Sequence, residues 1–268
     1  YNAKREEGHE IGIAATETCA AAADFIQRHH GQPFFINLWL HETHLPHLPR
    51  AEYLKQFSHL DEREKVYAAV VAEADAGIGR VMQALKETGV DEHTLVIFAS
   101  DNGPEWPGSE QIKKKGKKGL GNYYSVGETA GLKGQKRSLY AGGVRVPFLV
   151  RWPGVVAAGK TNRQTVVTAV DLLPTFAALA GATLPGNYQS DGENMLAALQ
   201  GKEQQRSKPI HWEWRGGTKD KEELWPHLGV RAGRWKLLIN DELGRVELYD
   251  IAADWAEEEN LAAGNPGV

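Results

Sequence analysis

The chain has 268 residues and a formal net charge of −4 at pH 7, with 41% hydrophobic and 25% charged residues. This length can form one large domain, or a large domain with a small satellite, and the composition is ordinary for a globular protein. The charge gives no global basic field, so nucleic-acid binding has little electrostatic support. No apolar run approaches the roughly 20 residues of a membrane-spanning helix. Cys19 is the only cysteine, which excludes an intrachain disulfide and a cysteine-based zinc site.

The first part of the chain has the pattern of a strand, a long helix and a second strand. Residues 16–30 predict a preceding helix, which an alanine-rich middle favours and Gly31 ends. The apolar run Phe34–Leu40 predicts a buried strand. Apolar residues recur at steps of three and four over 62–88, which predicts an amphipathic helix before a strand over 94–99 that is buried on both faces. Such a βαβ unit predicts parallel strands whose carboxyl ends share one edge.

The pattern changes in the second part of the chain. Residues 103–143 contain ten glycines and predict a long loop, which a strand over 146–152 and a helix over 171–181 follow. From about residue 205, short strand patterns separated by turns predict a small antiparallel sheet, with strands over 209–214, 228–231, 234–239 and 246–250. We therefore predict an α/β body over 1–205 and an antiparallel β subdomain over 206–268.

Polar side chains follow both strands of the predicted βαβ unit. His44 comes after the first strand, and Asp101 and Asn102 come directly after the second, within Ser100-Asp101-Asn102-Gly103. The carboxyl ends of strands are where open α/β sheets bind ligands, and carboxylate and amide oxygens are the donors that Ca²⁺ or Mg²⁺ takes. The alternative is an Asn-Gly turn that closes the strand.

Six segments in order along the chain together resemble the sulfatase family, within the alkaline-phosphatase-like superfamily. The Asp-Asn-Gly element alone is a weak signal, whereas six landmarks in register are a strong one. They are Pro33-Phe34-Phe35 with Thr43-His44-Leu45-Pro46, Ser100–Gly103, Leu132–Pro147, Val170–Thr175, Ser190-Asp191-Gly192, and a C-terminal set of Val230-Arg231, Trp235-Lys236-Leu237 and Glu247–Asp250.

The resemblance implies a fold and an activity. The fold is α/β, with a mainly parallel sheet flanked by helices as in alkaline phosphatase, N-terminally truncated, and with a small C-terminal antiparallel sheet. The activity is hydrolysis of sulfate monoesters, for example of a sulfated carbohydrate, with Ca²⁺ (or Mg²⁺) and a formylglycine nucleophile. A phosphoester or phosphonate hydrolase of the same superfamily and a non-catalytic carbohydrate-binding relative are the alternatives.

Two family motifs have no counterpart before residue 33: the Asp-Asp metal pair and the Cys/Ser-x-Pro/Ala-x-Arg motif whose first residue becomes formylglycine. Cys19 is followed by four alanines and reads as a buried helix residue. The chain thus resembles the C-terminal portion of a sulfatase without its formylglycine segment. Because Ca²⁺ takes about 6–8 oxygens, we expect the isolated chain to bind metal weakly and to turn over no sulfate ester.

By resemblance, Asp101 and Asn102 are metal ligands, and Asp101 also takes part in proton transfer. His44 would hydrogen-bond the sulfate or the leaving oxygen, and Lys136 would hold the sulfate and protonate the leaving group. His41 and His47 flank His44 and could replace it, and a structural role for the histidine stays open.

The segment around Lys136 carries two departures from the usual family pattern. Arg137 stands where glycine or a bulkier neutral residue is frequent, and Ala141 stands where glutamate is common. Lys133 and Arg137 lie close enough in sequence to be mistaken for the active-site lysine, and a solvated loop lysine is the structural alternative for Lys136.

Five lysines within Lys113–Lys118 read as a solvated loop or as a cationic rim for a sulfated glycan. Trp212, Trp214 and Trp225 could stack on sugars, although core packing is expected for at least two of them. The expected partner is a small or glycan sulfate ester, with no nucleic acid and no membrane span. The family suggests a periplasmic or secreted location, and the oligomeric state stays open.

Overall fold

The computed structural model describes residues 14–44, 47–105, 126–215, 226–240 and 244–268. These residues fall into two compact units. The first holds the described residues up to 94, with 105, 126 and 127, and the second holds 95–104 and the described residues from 128 onward. In these ranges no helix combines the length and the apolar character needed to cross a membrane.

The first unit is helical. It contains α1 (Ala14–His29), α2 (Ala51–Gln56), α3 (Glu62–Glu87) and a 3₁₀ turn (Asp91–His93). The helices predicted over 16–30 and 62–88 are therefore confirmed as α1 and α3.

Helices α1 and α3 pack closely in the first unit because small residues face each other. A Cβ added at Gly77 of α3 would lie 3.0 Å from the sulfur of Cys19 on α1. Asp61 caps α3, and its Oδ1 accepts hydrogen bonds from the amides of Arg63 and Glu64 at 2.9 and 3.0 Å. A carboxylate at this position satisfies amides that the helix leaves without partners.

The strand predicted over 34–40 does not form in the part of the chain that the structure describes. Residues 34–40 form no helix or strand, and every second side chain is exposed, with 68% of Phe35 and 81% of Trp39 accessible. The expected parallel pairing of this segment with residues 94–99 is therefore wrong there. An apolar run indicates an extended backbone, but long-range contacts choose the partner strand.

The second unit begins with an antiparallel pair. Strand β1 (Val96–Ala99) pairs with β2 (Phe148–Arg151), so that Ala99 lies opposite Phe148. Phe98 is 46% exposed, which makes the prediction of a strand buried on both faces wrong. Among the described residues β1 also has one neighbouring strand, so its other edge is open.

Short helices lie between the two strands of this pair and between the pair and the C-terminal sheet. Helix α4 (Ala141–Val144) precedes β2, and α5 (Leu172–Leu179) follows a 3₁₀ turn over Ala169–Asp171. Gly181, at φ +68°, ends the α5 segment in the left-handed conformation that glycine favours, as the sequence predicts. A last short helix, α6, covers Leu196–Leu199.

The C-terminal sheet has four antiparallel strands in sequence order, as predicted. They are β3 (Ile210–Glu213), β4 (Leu228–Ala232), β5 (Trp235–Ile239) and β6 (Val246–Asp250), and a 3₁₀ turn over Ala262–Gly264 follows. Leu238 and Tyr249 are buried on one face of this sheet and pack with Leu139 and Tyr140, which precede α4. This contact places the C-terminal sheet against the segment that contains Lys136.

Candidate functional site

Asp101 and Asn102 lie immediately after β1, where local hydrogen bonds fix the turn. Oδ1 of Asp101 accepts from the amide of Asn102 at 2.8 Å, and Nδ2 of Asn102 donates to the carbonyl of Gly103 at 2.8 Å. The Ser100 hydroxyl donates to the carbonyl of Asn102 at 2.9 Å. The Asp101 side chain is exposed and that of Asn102 is partly buried. The segment therefore forms the predicted turn that closes the strand, and this turn carries the oxygen-bearing side chains of Asp101 and Asn102.

The Asp-Asn-Gly turn is joined to the Lys136 segment through the backbone. The amide of Gly103 donates to the carbonyl of Gly143 at 2.9 Å, and the amide of Lys136 donates to the carbonyl of Pro104 at 2.9 Å. A Cβ at Gly103 would overlap the carbonyl of Gly142. The structure therefore brings together two of the motifs that the sequence predicts to share a site.

The Lys136 segment is a loop closed on itself. The amide of Gly142 donates to the carbonyl of Lys133 at 2.7 Å, and a Cβ at Gly142 would overlap the carbonyl of Gly134. Arg137 has φ +72°, a conformation that costs a residue with a side chain roughly 1–2 kcal/mol. Glycine would adopt this backbone conformation without that cost.

Lys133 and Lys136 have different surroundings. The Nζ of Lys133 donates to the hydroxyl of Tyr249 at 2.9 Å and lies 4.4 Å from the centre of the Tyr140 ring. Lys133 is thus engaged with the C-terminal sheet, which makes it a poor candidate for the active-site lysine. Lys136, partly buried beside the Asp-Asn-Gly turn, keeps that assignment as a prediction.

Three histidines follow residues 34–40 in the first unit. His44 is exposed, its amide donates to the carbonyl of His41 at 2.8 Å, and the two rings are 5.2 Å apart. His47 is 1% exposed, its Nε2 donates to the carbonyl of Thr43 at 2.8 Å, and its ring packs edge-on against Tyr67. His47 is therefore a packed structural histidine, while the choice between His41 and His44 stays a prediction.

A buried carboxylate anchors the chain just beyond these histidines. Glu73 of α3 is 2% exposed, and it accepts from Nε of Arg50 at 2.7 Å and from the Arg50 amide at 3.0 Å. The hydroxyl of Thr16 donates to the same carboxylate at 3.3 Å. Together with His47, this ion pair fixes the segment that carries His44 on the surface of the helical unit.

The predicted cation site at Asp101 and Asn102 stays a prediction. Among the described residues, no group of three or more histidine, cysteine, aspartate or glutamate side chains is placed to hold a metal ion. Asp101 and Asn102 nevertheless contribute hard oxygens of the type that Ca²⁺ binds, so this pair fits a fraction of a calcium shell. His44 belongs to the first unit and Asp101 to the second, so their convergence stays a prediction.

The single cysteine is unsuited to nucleophilic chemistry. Cys19 is fully buried on α1, and burial raises the pKa of its thiol above the ordinary value, with a further contribution from the charge of Glu42. A raised thiol pKa lowers the fraction of the reactive thiolate. The interpretation of Cys19 as a buried helix residue is therefore confirmed.

Two further landmarks form a polar core in the second unit. Asp171 is fully buried, and its carboxylate accepts from the amides of Thr168 and Glu193 and from Nη1 of Arg206, at 2.8, 2.8 and 2.6 Å. A Cβ at Gly192 would overlap the carbonyl of Val170. The segments around 171 and 192 are thus coupled by packing and charge, which gives them a structural role.

The remaining sequence predictions concern the tryptophans proposed to stack on sugars and the lysine-rich segment. Trp212 packs against the core of the C-terminal sheet, and Trp214 is 36% exposed just after β3. Trp225 and the lysine-rich segment Lys113–Lys118 lie outside the described residues, as do Leu45 and Pro46.

Sequence analysis missed a buried polar cluster beneath the Lys136 loop. Glu247 and Glu257 are 8% and 0% exposed, and Lys236 is 3% exposed. Glu247 and Tyr249 lie on one face of β6, and Val246 and Leu248 lie on the other. The sequence pattern therefore predicts that the face with Glu247 is exposed to solvent. Tyr249 on the same face could have indicated burial, because tyrosine is often buried with its hydroxyl hydrogen-bonded.

Comparison with known proteins identifies the relationship. The family model described as Sulfatase matches residues 5–182, which is more than half of the chain. The chain belongs to the sulfatase family. The model described as N-sulphoglucosamine sulphohydrolase, C-terminal, matches residues 132–266, which include the Lys136 loop and the C-terminal sheet.

Individual relatives agree with this membership. A sulfatase of Formosa agariphila is 31% identical over 87% of this chain and 43% of its own length. An N-acetylgalactosamine-6-O-sulfatase of Bacteroides thetaiotaomicron is 28% identical over 92% of this chain and 47% of its own. The chain therefore spans less than half the length of these two relatives.

A solved structure shows the same fold. Ps i-CgsB, solved in complex with k-i-k-neocarrahexaose, superposes with a TM-score of 0.71 at 28% identity, covering 94% of this chain and 51% of that protein. The predicted α/β fold class of the alkaline-phosphatase type, with a small C-terminal antiparallel sheet, is confirmed by this likeness.

Proposed function

We propose that the protein hydrolyses sulfate monoesters of a carbohydrate, with His44, Asp101, Asn102 and Lys136 as its site residues. The observation that carries the proposal is the backbone junction between Gly103 and Gly143, which sets the Asp-Asn-Gly turn beside the Lys136 loop at 2.9 Å. In a member of the sulfatase family, this junction supports one site in which a cation and an ammonium group act on the same sulfate.

Each residue has a proposed task in the overall reaction, in which a sulfate ester and water give an alcohol and sulfate. Lys136 holds a sulfate oxygen and gives a proton to the leaving alkoxide as the sulfur–oxygen bond breaks. His44 donates a hydrogen bond to the sulfate or to the leaving oxygen. Asp101 and Asn102 would hold Ca²⁺ (or Mg²⁺), and Asp101 also accepts or passes a proton.

Two groups outside these residues complete the proposal. Polarisation of the sulfate oxygens is the chemistry that a bound calcium ion supplies. A formylglycine contributed by residues other than those of this chain is the proposed nucleophile. We also propose that the 268-residue chain alone binds Ca²⁺ weakly and releases no sulfate, because Asp101 and Asn102 offer only a few of the 6–8 oxygens that this ion takes.

The proposed substrate class is supported by the names of relatives. One relative is an N-acetylgalactosamine-6-O-sulfatase, and Ps i-CgsB was solved with k-i-k-neocarrahexaose. We therefore propose a sulfated glycan as substrate, and a periplasmic or extracellular location where such glycans are met.

The experiment is sulfate release by the protein at its full natural length, measured on 6-sulfated N-acetylgalactosamine, a carrageenan hexasaccharide and an aryl sulfate, with Ca²⁺ or with a chelator. We expect calcium-dependent release, and a loss of kcat of about 10²–10⁴-fold in Lys136→Ala. Lys160→Ala, at an exposed lysine outside the site, is the matched control. Release of phosphate from an aryl phosphate, without sulfate release, would replace the proposal by a phosphoester hydrolase.

The weak-binding proposal has its own test on the isolated chain. A calorimetric Ca²⁺ titration is expected to show affinity weaker than micromolar, with no release from an aryl sulfate. Micromolar binding or measurable turnover by the chain alone would contradict it.

A further inference from the structure

Two buried carboxylates of the C-terminal subdomain, beneath the Lys136 loop, have no task in the proposed chemistry. Glu247 lies on β6 and Glu257 follows it, and they are 8% and 0% exposed. A buried carboxylate is unfavourable unless it is paired and hydrogen-bonded. Both are bonded to the segment that carries Lys136, which points to a role in that segment's geometry.

Glu257 holds the C-terminal side of the Lys136 loop. Its Oε2 accepts from the amide of Ala141 at 2.6 Å, and its Oε1 accepts from Nζ of Lys236. Burial lowers the pKa of Lys236 below its ordinary value, although the charge of Glu257 acts in the opposite direction. The backbone of Glu257 has φ +62°, which is uncommon for a residue with a side chain, so the surrounding contacts hold this carboxylate in place.

Glu247 holds both sides of the loop through two tyrosines. Its Oε2 accepts from the hydroxyls of Tyr140 and Tyr249 at 2.7 and 2.6 Å. The Nζ of Lys133 donates to the Tyr249 hydroxyl at 2.9 Å and lies 3.8 Å from the same Oε2. Lys133 precedes Lys136 in the loop and Tyr140 follows it, so one carboxylate connects the two ends.

These contacts make the loop geometry depend on the C-terminal sheet. Lys133, Tyr140 and Ala141 bracket Lys136, whose amide is bonded to Pro104 on the other side at 2.9 Å. Apolar packing alone could bury this interface, and replacing buried ion pairs by apolar residues is often neutral or stabilising. Directional bonds to both ends of the loop, by contrast, fix where its backbone lies.

We propose that Glu247 and Glu257 are positioning residues, which set the location of the Lys136 ammonium relative to Asp101 from within the C-terminal subdomain. The inference rests on the proposed function for the catalytic task of Lys136. It deepens that function by giving the C-terminal sheet a part in the reaction beyond packing.

The first test measures the loop itself and needs no substrate. In Glu257→Gln, the amide oxygen can still accept from Ala141, but the ion pair with Lys236 is lost. Glu247→Gln removes the charge that faces Lys133. We expect hydrogen exchange of the Lys136, Ala141 and Gly142 amides to rise at least about 10-fold in both variants. Glu258→Gln, at the exposed neighbouring glutamate, is the control and is expected to leave exchange unchanged.

The second test measures catalysis in the protein at its full natural length. A misplaced ammonium lowers the rate of the chemical step more than it weakens binding, so we expect kcat to fall about 10–100-fold with KM within about threefold. Tyr140→Phe keeps the ring and removes one bond to Glu247, so it provides a variant that folds if the glutamate variants do not. We expect its kcat to fall by a smaller factor, with the same split between kcat and KM.

The outcomes separate the two proposals. Unchanged amide exchange in Glu247→Gln, Glu257→Gln and Tyr140→Phe would overturn the positioning role, whatever the activity. Raised exchange would also overturn it if KM rose by the same factor by which kcat fell, or if kcat were unchanged. Raised exchange in the variants, together with a wild-type protein that releases no sulfate, would leave the loop contacts established and remove the proposed function.

Discussion

The amide of Gly103 and the carbonyl of Gly143 are 2.9 Å apart, and this hydrogen bond joins the Asp-Asn-Gly turn to the lysine loop. The contact requires glycine, because a Cβ at Gly103 would overlap the carbonyl of Gly142. One close approach of two backbones therefore places the proposed metal ligands beside the proposed general acid. The distance between these two backbones depends on the absence of side chains as much as on hydrogen bonding.

Gly103→Ala tests this approach. The added methyl group must push the two backbones apart, which we expect to lower the free energy of unfolding by about 3 kcal/mol. Urea unfolding of the chain checks the result. Gly79→Ala in α3 is the matched control, because no atom lies within 4 Å of its Cβ position and the residue is helical. This control is expected to stabilise by about 0.5–1 kcal/mol, and an equal loss in both variants would contradict the packing argument.

Arg206→Met tests the buried ion pair with Asp171. The two side chains are 9% and 0% exposed, and removing one partner leaves a buried charge without its counterion. We expect a loss of about 3–5 kcal/mol in the free energy of unfolding. Arg28→Met breaks the exposed pair with Asp24, 61% and 60% accessible, and is expected to cost less than about 0.5 kcal/mol. Similar unfolding midpoints for the two variants would show that burial does not govern these pairs.

Tyr140 and Tyr249 provide a prediction in alkaline solution. Burial, and then hydrogen bonding to Glu247, raise the pKa of both phenols above the ordinary value. Groups with a raised pKa in the folded state contribute stability that is fully present below the unfolded pKa of about 10, and that is lost as the pH rises further. Of the eight tyrosines, these two are expected to ionise only as the protein unfolds.

Absorbance near 295 nm, followed as the pH rises, measures this late ionisation. The double variant Tyr140→Phe/Tyr249→Phe is expected to lack two late-titrating phenols and to lose stability less steeply above pH 10. Tyr188→Phe, at a tyrosine that is 45% exposed, is the control, because it removes a phenol that lies outside the buried cluster. Full ionisation of all tyrosines in the folded protein would refute the buried cluster.

His44 and His47 separate a proposed catalytic role from a structural one. His47→Ala removes a buried side chain with a hydrogen bond to Thr43, and we expect a loss of about 1–3 kcal/mol in the free energy of unfolding. His44→Ala alters an exposed side chain, so stability should stay within about 0.5 kcal/mol of wild type while kcat for sulfate release falls about 10²–10⁴-fold. A loss of kcat in His41→Ala with none in His44→Ala would move the assignment to His41.

Local signals were sufficient for the elements that depend on neighbouring residues. The periodicity over 62–88 predicts α3 almost to its ends, and the strand patterns over 228–231 and 234–239 predict the β4–β5 hairpin. The apolar run Phe34–Leu40 misled because a strand requires a partner, and the identity of the partner is a long-range property. The side-chain exposure of Phe35 could not be inferred from its apolar character.

In the candidate site, too, features of a single segment were predictable, whereas contacts between residues remote in sequence were not. Asp101, Asn102 and Lys136 were predicted from their segments, and the structure shows the backbones of those segments in contact. The anchoring of Lys133 by Tyr249 was not predictable, because the two residues are remote in sequence and their contact depends on how β6 packs. Glu247 and Glu257 were missed for the same reason, since charged residues next to turns are expected in solvent until their partners are known.

A crystal structure of the protein at its full natural length, grown with calcium and a sulfated monosaccharide, tests the central claim most directly. We predict a calcium ion bound by the oxygens of Asp101 and Asn102, with Nζ of Lys136 and a ring nitrogen of His44 within hydrogen-bonding distance of one sulfate. A sulfate bound far from Lys136, or His44 and Asp101 on opposite sides of the molecule, would contradict it.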